Sequence, residues 1–314
     1  MILVTGCTGY IGFHLCEYLN SHKIPFIGID NFLSSQRKNI IDRKNFYRID
    51  IGSRKVTEIF AKYKIKIVIH AAALTFPQES EVCKNKYFIN NVIKTKKFID
   101  VCSGYNVEKF IFFSSSNVYD FNLDKIEAVK ESKKISPRNY YGKNKFLIEK
   151  YIKSKKFSSS YILRLFNIAG YTNKKKFFEF KNEYRRILPV LTEAALKRKK
   201  IMINLVKLKN KLVYPGRDFV HIIDLIRIIL KIIDRKKKTN KTYNIGSGKL
   251  LYLDEIIKFF EKKQKTKIEF QTQFQKEGNL NYTLANSNKL EKELKFKFRF
   301  SFNDIIKSCF NRTI

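Results

Sequence analysis

The chain has 314 residues, 44% of them apolar, and its 64 Lys and Arg residues against 28 Asp and Glu give a formal net charge of +36. That length and apolar content are enough for one large α/β domain or for two domains with a shared core. The most apolar segment, residues 221–234, carries Asp224, Arg227 and Lys231, which predicts a buried helix and excludes a membrane span. Five cysteines without C-x-x-C pairing, and a start (MILVTG) without the charged region of a signal peptide, predict a cytoplasmic location and no metal site.

The excess of positive charge would favour an anionic partner such as nucleic acid, acidic lipid or a phosphorylated substrate. Lysine, however, is spread along the whole chain, and the runs at 174–176 and 235–238 lie beside predicted turns with no aromatic residues between the charges. We interpret the charge as a compositional bias of a solvated surface and expect no nucleic-acid partner. Electrostatic steering of an anionic small substrate is compatible with either interpretation.

Segments typical of strands and of helices alternate through the first half of the chain. The apolar runs that predict buried strands are MILVT, PFIGID, NFYRID, KIVIHAAA, KFIFFSSS and SYILRLF. The longest helical segments between them are NKYFINNVIKTKKFIDVCS and residues 137–153. This alternation predicts an α/β fold of the Rossmann type, with a doubly wound parallel sheet. We assign residues 1–166 to this domain, with segments near 217–248 returning to it, and residues 167–314 mainly to a smaller mixed α/β substrate-binding domain.

Residues 5–12, TGCTGYIG, place three glycines between the first strand and the first helix. Gly6 permits a tight turn, Gly9 lets the backbone approach a pyrophosphate, and Gly12 allows close packing of the helix on the strand. The N-terminus of the helix then presents backbone N–H groups to the phosphates. This loop, at this position in the fold, predicts a dinucleotide site.

Two acidic residues follow the second and third strands. Asp30 can accept hydrogen bonds from a ribose diol and repels a 2′-phosphate, which favours NAD over NADP; the alternative is a turn residue before Asn31. Asp50 ends the third strand and is predicted to meet the edge of the adenine. The AAA run at 71–73 allows a close approach of the backbone at the end of the fourth strand.

The stretch YYGKNK at 140–145 places Tyr141 four residues before Lys145, so a phenol and an ammonium share one face of a helix. A lysine-rich turn would give the same spacing by chance. The surrounding motifs favour a functional pair, because several of them occur together in order. They are TGCTGYIG, IDNF, VIHAAA, FINNV, FFSSSNVY, YGKNK, LRLFN and GRDFVHIIDL.

In this order the motifs resemble the extended short-chain dehydrogenase/reductase family, also called the NAD-dependent epimerase/dehydratase family, and within it the UDP-glucose 4-epimerases. The resemblance implies that Tyr141 is the base and that Lys145 and the positive nicotinamide ring together lower its pKa. It also implies that Lys145 holds the nicotinamide ribose and that Ser115 bonds the reacting oxygen. It further implies oxidation of the sugar at C4, rotation of the keto sugar and return of the hydride, with NAD retained. Tyr140 lacks the four-residue spacing.

The resemblance and the loop together identify two sets of ligand-binding residues. The predicted cofactor-binding residues are Gly6, Gly9, Tyr10, Ile11, Gly12, Asp30, Asn31, Asp50, Ile51, Ala71, Ala72, Ala73, Asn90, Ser114, Tyr141, Lys145 and Phe166. The residues predicted to bind a nucleotide sugar, a UDP-hexose by resemblance, are Ser115, Asn167, Arg217, Lys276 and Asn279.

Ser116 and Asn117 occupy the positions where related dehydratases carry an acidic pair, which leaves epimerisation or the reduction of a nucleotide-linked keto sugar. A basic RNA-binding protein on the same scaffold is the alternative from another class. The helices near 85–104 and 138–154 match the segments through which the family forms homodimers.

The chain also departs from the epimerases. Thr75 and Leu165 replace a lysine and an aromatic residue, and the R-x-G-D motif has Lys276 and Asn279 at its ends. The position that excludes N-acetylated sugars when it is a tyrosine falls at Tyr282 or Thr283. These departures bear on uridine recognition and substrate breadth.

Overall fold

A computed structural model of the protein describes residues 1–121, 125–172, 176–179, 186–208, 211–274 and 280–311. Its strands are β1 (Ile2–Thr5), β2 (Phe26–Asp30), β3 (Phe46–Arg48), β4 (Ile67–His70), β5 (Lys109–Ser115), β6 (Ser159–Leu165), β7 (Asn167–Ala169), β8 (Ile201–Leu208), β9 (Lys211–Val213), β10 (Gly216–His221), β11 (Asn240–Ile245), β12 (Leu250–Tyr252) and β13 (Phe270–Phe274). Its α-helices are α1 (Tyr10–Ser21), α2 (Lys55–Lys62), α3 (Pro77–Val82), α4 (Lys84–Phe88), α5 (Thr95–Gly104), α6 (Tyr140–Lys153), α7 (Ile187–Lys197), α8 (Ile222–Asp234), α9 (Leu253–Gln264), α10 (Asn288–Leu294) and α11 (Phe302–Asn311).

A seven-stranded sheet in the order β3-β2-β1-β4-β5-β6-β11 forms the centre of the molecule. Every neighbouring pair in it is parallel. Strands β1, β2, β5 and β6 are buried along their whole length, as expected for apolar strands covered on both faces. The predicted Rossmann-type α/β fold is therefore confirmed.

Two apolar clusters cover the opposite faces of this sheet. One contains Phe13 and Leu15 of α1 together with Leu225 and Ile229 of α8. The other contains residues of α2, α5 and α6, such as Ile148. After β1 the chain continues to β2 on one side, and after β4 it continues to β5 on the other side. A crevice therefore opens between β1 and β4 at their carboxyl ends.

Two three-stranded sheets, β12-β10-β7 and β13-β8-β9, lie outside the central sheet. The chain passes from β6 directly into β7, and β11 later hydrogen-bonds along β6 in the central sheet. The division at residue 166 stays a prediction, since the chain crosses between the sheets more than once.

The predicted helix through residues 85–104 contains a turn of π-helix, Ile89–Lys94, between α4 and α5. This turn carries the buried Asn91 side chain. Asn91 accepts a hydrogen bond from the Leu74 N–H at 2.9 Å and donates one to the Leu74 carbonyl at 2.9 Å. These bonds fix the loop after β4. Helix α6 begins three residues later than predicted, because the Asn139 side chain caps it by accepting from the Gly142 N–H at 2.8 Å.

Candidate active site

A cleft of about 380 Å³ lies at the carboxyl ends of the central strands and reaches the β12-β10-β7 sheet. A smaller pocket adjoins it and shares Ala71 and Ala73 with its lining. Together they are lined by every described residue of the predicted cofactor and substrate sets except Gly12 and Asp50. Lys276 and Asn279 lie outside the described residues.

The glycine loop is packed tightly between β1, α1 and the end of β4. Gly6 has a φ of +65°, and a Cβ there would lie 2.6 Å from the Ala72 backbone nitrogen. A Cβ on Gly12 would lie 2.1 Å from the Gly6 carbonyl oxygen. At Gly9 the nearest atom would be 3.3 Å away, so this glycine has the most open side of the three. The loop thus fits the pyrophosphate of a dinucleotide at the N-terminus of α1.

Asp30 lies at the end of β2 and is buried. Its carboxylate accepts hydrogen bonds from the backbone N–H groups of Thr8 (3.1 Å) and Phe32 (2.8 Å) and from the Ser35 hydroxyl (3.1 Å). Asp30 therefore orients the glycine loop in addition to lining the small pocket.

Asp50 is not among the lining residues of either pocket. Its Oδ2 accepts from Lys94 Nζ at 2.6 Å and from the Asn31 amide at 2.8 Å. These bonds keep the pKa of Asp50 below its usual range although partial burial opposes them. In the structure Asp50 positions Asn31, whereas its predicted contact with adenine remains a prediction.

Tyr141, Ser115 and Lys145 converge in the cleft. The hydroxyl of Ser115 accepts from the Asn117 backbone N–H at 3.2 Å and from its side-chain amide at 3.1 Å. The Ser115 hydroxyl also acts on the Tyr141 phenol and lowers its pKa. Because Asn117 donates twice to the Ser115 oxygen, the Ser115 proton is left to donate to another oxygen in the cleft, either a Tyr141 phenolate or the oxygen of a bound substrate. Asn117 is thus a site residue whose role the sequence did not reveal.

Lys145 lies one helical turn below Tyr141 and is buried. Its Nζ donates to the Phe113 carbonyl at 2.7 Å and lies 5.7 Å from the centre of the Tyr141 ring. Burial lowers the pKa of Lys145 to about 7, and the nearby Glu149 opposes the shift.

Lys145 and the positive nicotinamide ring together are predicted to lower the pKa of Tyr141. Burial raises it to about 12, against the opposing effects of the Ser115 hydrogen bond and the Arg186 charge. The protein groups alone do not bring this phenol to neutral pH. A positive charge contributed by a bound ligand would act in the required direction.

The substrate end of the cleft contains Asn167, Arg217 and Thr283. Asn167 donates to Thr283 Oγ1 at 3.1 Å and to the Asp218 carbonyl at 3.0 Å. Burial lowers the pKa of Arg217 to about 10, and no carboxylate pairs with it in the described part of the chain. Tyr282 points away from the cleft, because its hydroxyl donates to the Lys125 carbonyl at 2.7 Å.

Sequence reasoning missed a second cation in the cleft, Arg186. Its guanidinium lies 4.5 Å from the centre of the Tyr10 ring and 3.5 Å from Glu179. Its position before α7 carries no recognisable spacing, so only the fold reveals it. The burial of a second arginine, Arg164, could have been predicted, since it lies within the predicted buried strand SYILRLF.

Over the described residues no helix is long and apolar enough to cross a membrane. Within the same ranges no group of three or more His, Cys, Asp or Glu side chains could hold a metal ion.

The sequence matches the profile of the NAD dependent epimerase/dehydratase family over residues 2–246. The UDP-glucose 4-epimerase of Pasteurella multocida is 31% identical, over 89% of this chain and 87% of that protein. The bifunctional protein gal10 of Schizosaccharomyces pombe is 30% identical over 90% of this chain, which spans only 43% of that protein. The crystal structure of UDP-glucose 4-epimerase from Bifidobacterium longum, in complex with NAD+ and UDP, superposes with a TM-score of 0.87 at 25% identity, over 99% of this chain and 97% of that one.

The chain belongs to the NAD-dependent epimerase/dehydratase family, as the match over most of its length shows. The predicted family is thereby confirmed, and the similar proteins named above include UDP-glucose 4-epimerases.

Proposed function

We propose that the protein is an NAD-dependent nucleotide-sugar 4-epimerase that interconverts UDP-glucose and UDP-galactose and keeps its cofactor bound. The observation that carries the proposal is one continuous crevice: the pocket of the glycine loop adjoins a cleft that holds Ser115, Tyr141, Lys145 and Arg217. A hydride donor or acceptor and a diphosphate can therefore be bound side by side. The names of the similar proteins support the same reaction.

Bound in this crevice, NAD would supply the acceptor and the donor for the hydride of the sugar carbon. The work of the protein is to move the proton of the sugar hydroxyl. Tyr141 takes that proton and gives it back, and the Ser115 hydroxyl donates to the sugar oxygen from which the proton leaves. Lys145, with its Nζ 5.7 Å from the centre of the Tyr141 ring, supplies positive charge near the phenol.

The cleft is poorly equipped for elimination of water. Ser116 and Asn117 follow the catalytic serine, and the single carboxylate among the described lining residues is Glu179, which pairs with Arg186. Elimination needs a general acid and a general base besides the hydride carrier. An enzyme that returns the hydride to the same carbon fits these residues better.

The substrate end supports a broad sugar preference. Thr283, and not Tyr282, lines the cleft. By the family resemblance a small side chain at this position admits an N-acetyl group, so UDP-N-acetylglucosamine is a proposed second substrate. Arg217 and Arg186 are the proposed partners of the diphosphate.

A homodimer is proposed through the outer faces of α5 and α6. Ile89, Ile93 and Leu147 are among the exposed large apolar residues, and all three lie on these helices or on the π turn between α4 and α5. Substitution of Ile93 by glutamate is expected to convert the dimer to a monomer, as measured by light scattering. A monomeric mass for the wild-type protein would contradict the proposed interface. The cytoplasm is the proposed location, in keeping with five cysteines that form no disulfide.

Two other functions would give different experimental outcomes. A reductase of a nucleotide-linked keto sugar would consume added NADH, and a basic RNA-binding protein would bind RNA in a salt-sensitive manner and contain no dinucleotide. The test is the conversion of UDP-galactose to UDP-glucose by purified protein without added cofactor. Conversion supports the proposal. The proposal is refuted if protein shown to contain NAD converts none of the UDP-hexose pairs tried.

A further inference from the structure

Helix α6 carries a third buried functional group beyond the tyrosine and the lysine. Tyr141, Lys145 and Glu149 follow at four-residue intervals, and all three are buried, Glu149 completely. The three side chains therefore share one face of the helix, directed at the central sheet. Glu149 is not part of the Tyr141–Lys145 motif, and the proposed proton transfer assigns it no role.

The Glu149 carboxylate is the centre of a buried network. It accepts from Ser114 Oγ at 2.5 Å, from Arg164 Nε at 2.9 Å and from Arg164 Nη2 at 2.6 Å. Arg164 also donates to the Tyr119 hydroxyl at 2.7 Å, which in turn donates to the Asn244 side chain at 2.7 Å. All of these side chains are buried.

This network joins the elements that carry the catalytic groups. Ser114 precedes Ser115 on β5, Arg164 lies on β6 two residues before Phe166, and Glu149 lies on the helix of Tyr141. A buried ion pair is a poor way to gain stability, since apolar residues of similar volume often stabilise a core as well or better. Its position beside the catalytic lysine suggests a different use.

We propose that Glu149 is a positioning residue for the epimerase reaction proposed above. Its buried carboxylate keeps the side chain of Lys145 charged and ties α6 to the strand that carries Ser115. Lys145 then supplies the positive charge that the Tyr141 phenol needs to give up its proton.

The surroundings of Lys145 leave Glu149 as its source of negative charge among the described residues. Burial lowers the pKa of Lys145 to about 7, and Glu149 opposes this. Among the described residues, Tyr141 on α6 and His70 on β4 also lie near Lys145, and Arg164 on β6 contacts Glu149. His70 is neutral at pH 7, because burial, helped by Lys145, lowers its pKa to about 3. Arg164 is a cation and is engaged by Glu149.

The test compares the pH profile of kcat in the holoenzyme with that of the double variant Glu149→Leu, Arg164→Met. Both partners are replaced because removal of one alone leaves an uncompensated buried charge and endangers folding. We expect the variant to retain NAD and to keep its KM for the UDP-sugar. The basic limb of its kcat profile should move to lower pH by about one unit, which is about a tenfold loss at a fixed pH on that limb.

Two further variants separate charge from packing. Glu149→Asp keeps the charge, so its basic limb should stay with the wild type even if kcat falls. The proposal is overturned if the double variant loses kcat equally at every pH, or if Glu149→Asp moves the limb as far as the double variant does.

A second readout does not depend on epimerase activity. The titration of the Lys145 side-chain nitrogen, followed by NMR and assigned with Lys145→Met, should occur at lower pH in the double variant. If the wild type epimerises nothing but this shift is found, the proposed function fails, and the effect of Glu149 on the charge of Lys145 survives. If the wild type epimerises but the titration is unchanged, the role of Glu149 is refuted.

Discussion

The two ends of the cleft are built in different ways. The cofactor end is formed by the carboxyl ends of neighbouring strands of one sheet, and its glycine loop is packed against backbone atoms on two sides. The substrate end is assembled from β7, β10 and the segment after residue 280, which are far apart in the chain. One buried carboxylate links these parts: Asp218 accepts from Ser247 (2.7 Å), Gly248 (3.0 Å) and Ala285 (3.1 Å) backbone N–H groups.

This difference suits an enzyme that must hold a dinucleotide firmly and let a sugar turn. Close packing at the cofactor end leaves little freedom, because a well-packed interior resists small displacements. At the substrate end, Asn167 and Arg217 lie on β7 and β10, which pair over only three residues, and Thr283 lies on the segment after residue 280. Fewer backbone hydrogen bonds hold these groups, so they can be displaced at lower cost in free energy. The predictions that follow test this contrast, from the largest expected effect to the smallest.

Replacing Tyr141 by phenylalanine should reduce kcat by about a thousandfold, because it removes the proposed base while leaving the ring in place. NAD content, read from the absorbance of the purified protein, should be unchanged. Tyr140→Phe is the matched control: Tyr140 is its neighbour on α6 but is only partly buried and does not line the cleft. Equal losses in the two variants would contradict the assignment of the base.

Gly12→Ala should destabilise the protein by about 3 kcal/mol, since the new Cβ would lie 2.1 Å from the Gly6 carbonyl oxygen. The free energy of unfolding in urea measures this. Gly104→Ala is the control within another helix, because a Cβ there meets nothing within 4 Å. If both variants unfold alike, the cofactor end is less tightly packed than described.

The buried Lys145 predicts a rise of stability with pH in cofactor-free protein. Its folded-state pKa of about 7 lies below the ordinary 10.5, so between these pH values the unfolded chain binds the extra proton. The free energy of unfolding should therefore increase by about 2 to 4 kcal/mol as pH rises through this window, over and above the trend of the other groups. Lys145→Met should abolish this rise in stability with pH. An identical pH dependence in the wild type and in Lys145→Met would contradict the prediction.

At the substrate end, Thr283→Tyr should reduce turnover of UDP-N-acetylglucosamine by about tenfold or more relative to UDP-glucose, because the larger ring fills the cleft beside Asn167. Tyr282→Phe serves as control. It removes a hydrogen bond to the Lys125 carbonyl, outside the cleft, and should cost about 1 kcal/mol of stability without altering the substrate ratio.

The same contrast explains which parts of the molecule were predictable from sequence. The glycine loop, Asp30 and the pair Tyr141 and Lys145 are local patterns on single elements, where spacing alone determines geometry. Thr283 could not be chosen over Tyr282, because which of them faces the cleft depends on how a late segment packs against β10. The contact of Asp50 with Lys94, 44 residues later in the chain, was equally beyond local reasoning, and the predicted contact of Asp50 with adenine stays a prediction.

The buried supports of the site were hidden for a related reason. Glu149 and Arg164 meet only when α6 packs against β6, and the Asn117 contacts with Ser115 depend on the turn after β5. The burial that raises the pKa of Tyr141 is likewise a property of the folded chain.

The most direct test of the account follows a deuterium label at the C4 carbon of UDP-glucose through one round of catalysis. The account predicts UDP-galactose that retains the label at C4, with no added NADH consumed and no solvent hydrogen at that carbon. Loss of the label to solvent, or product formed only when NADH is supplied, would contradict epimerisation and favour the reductase.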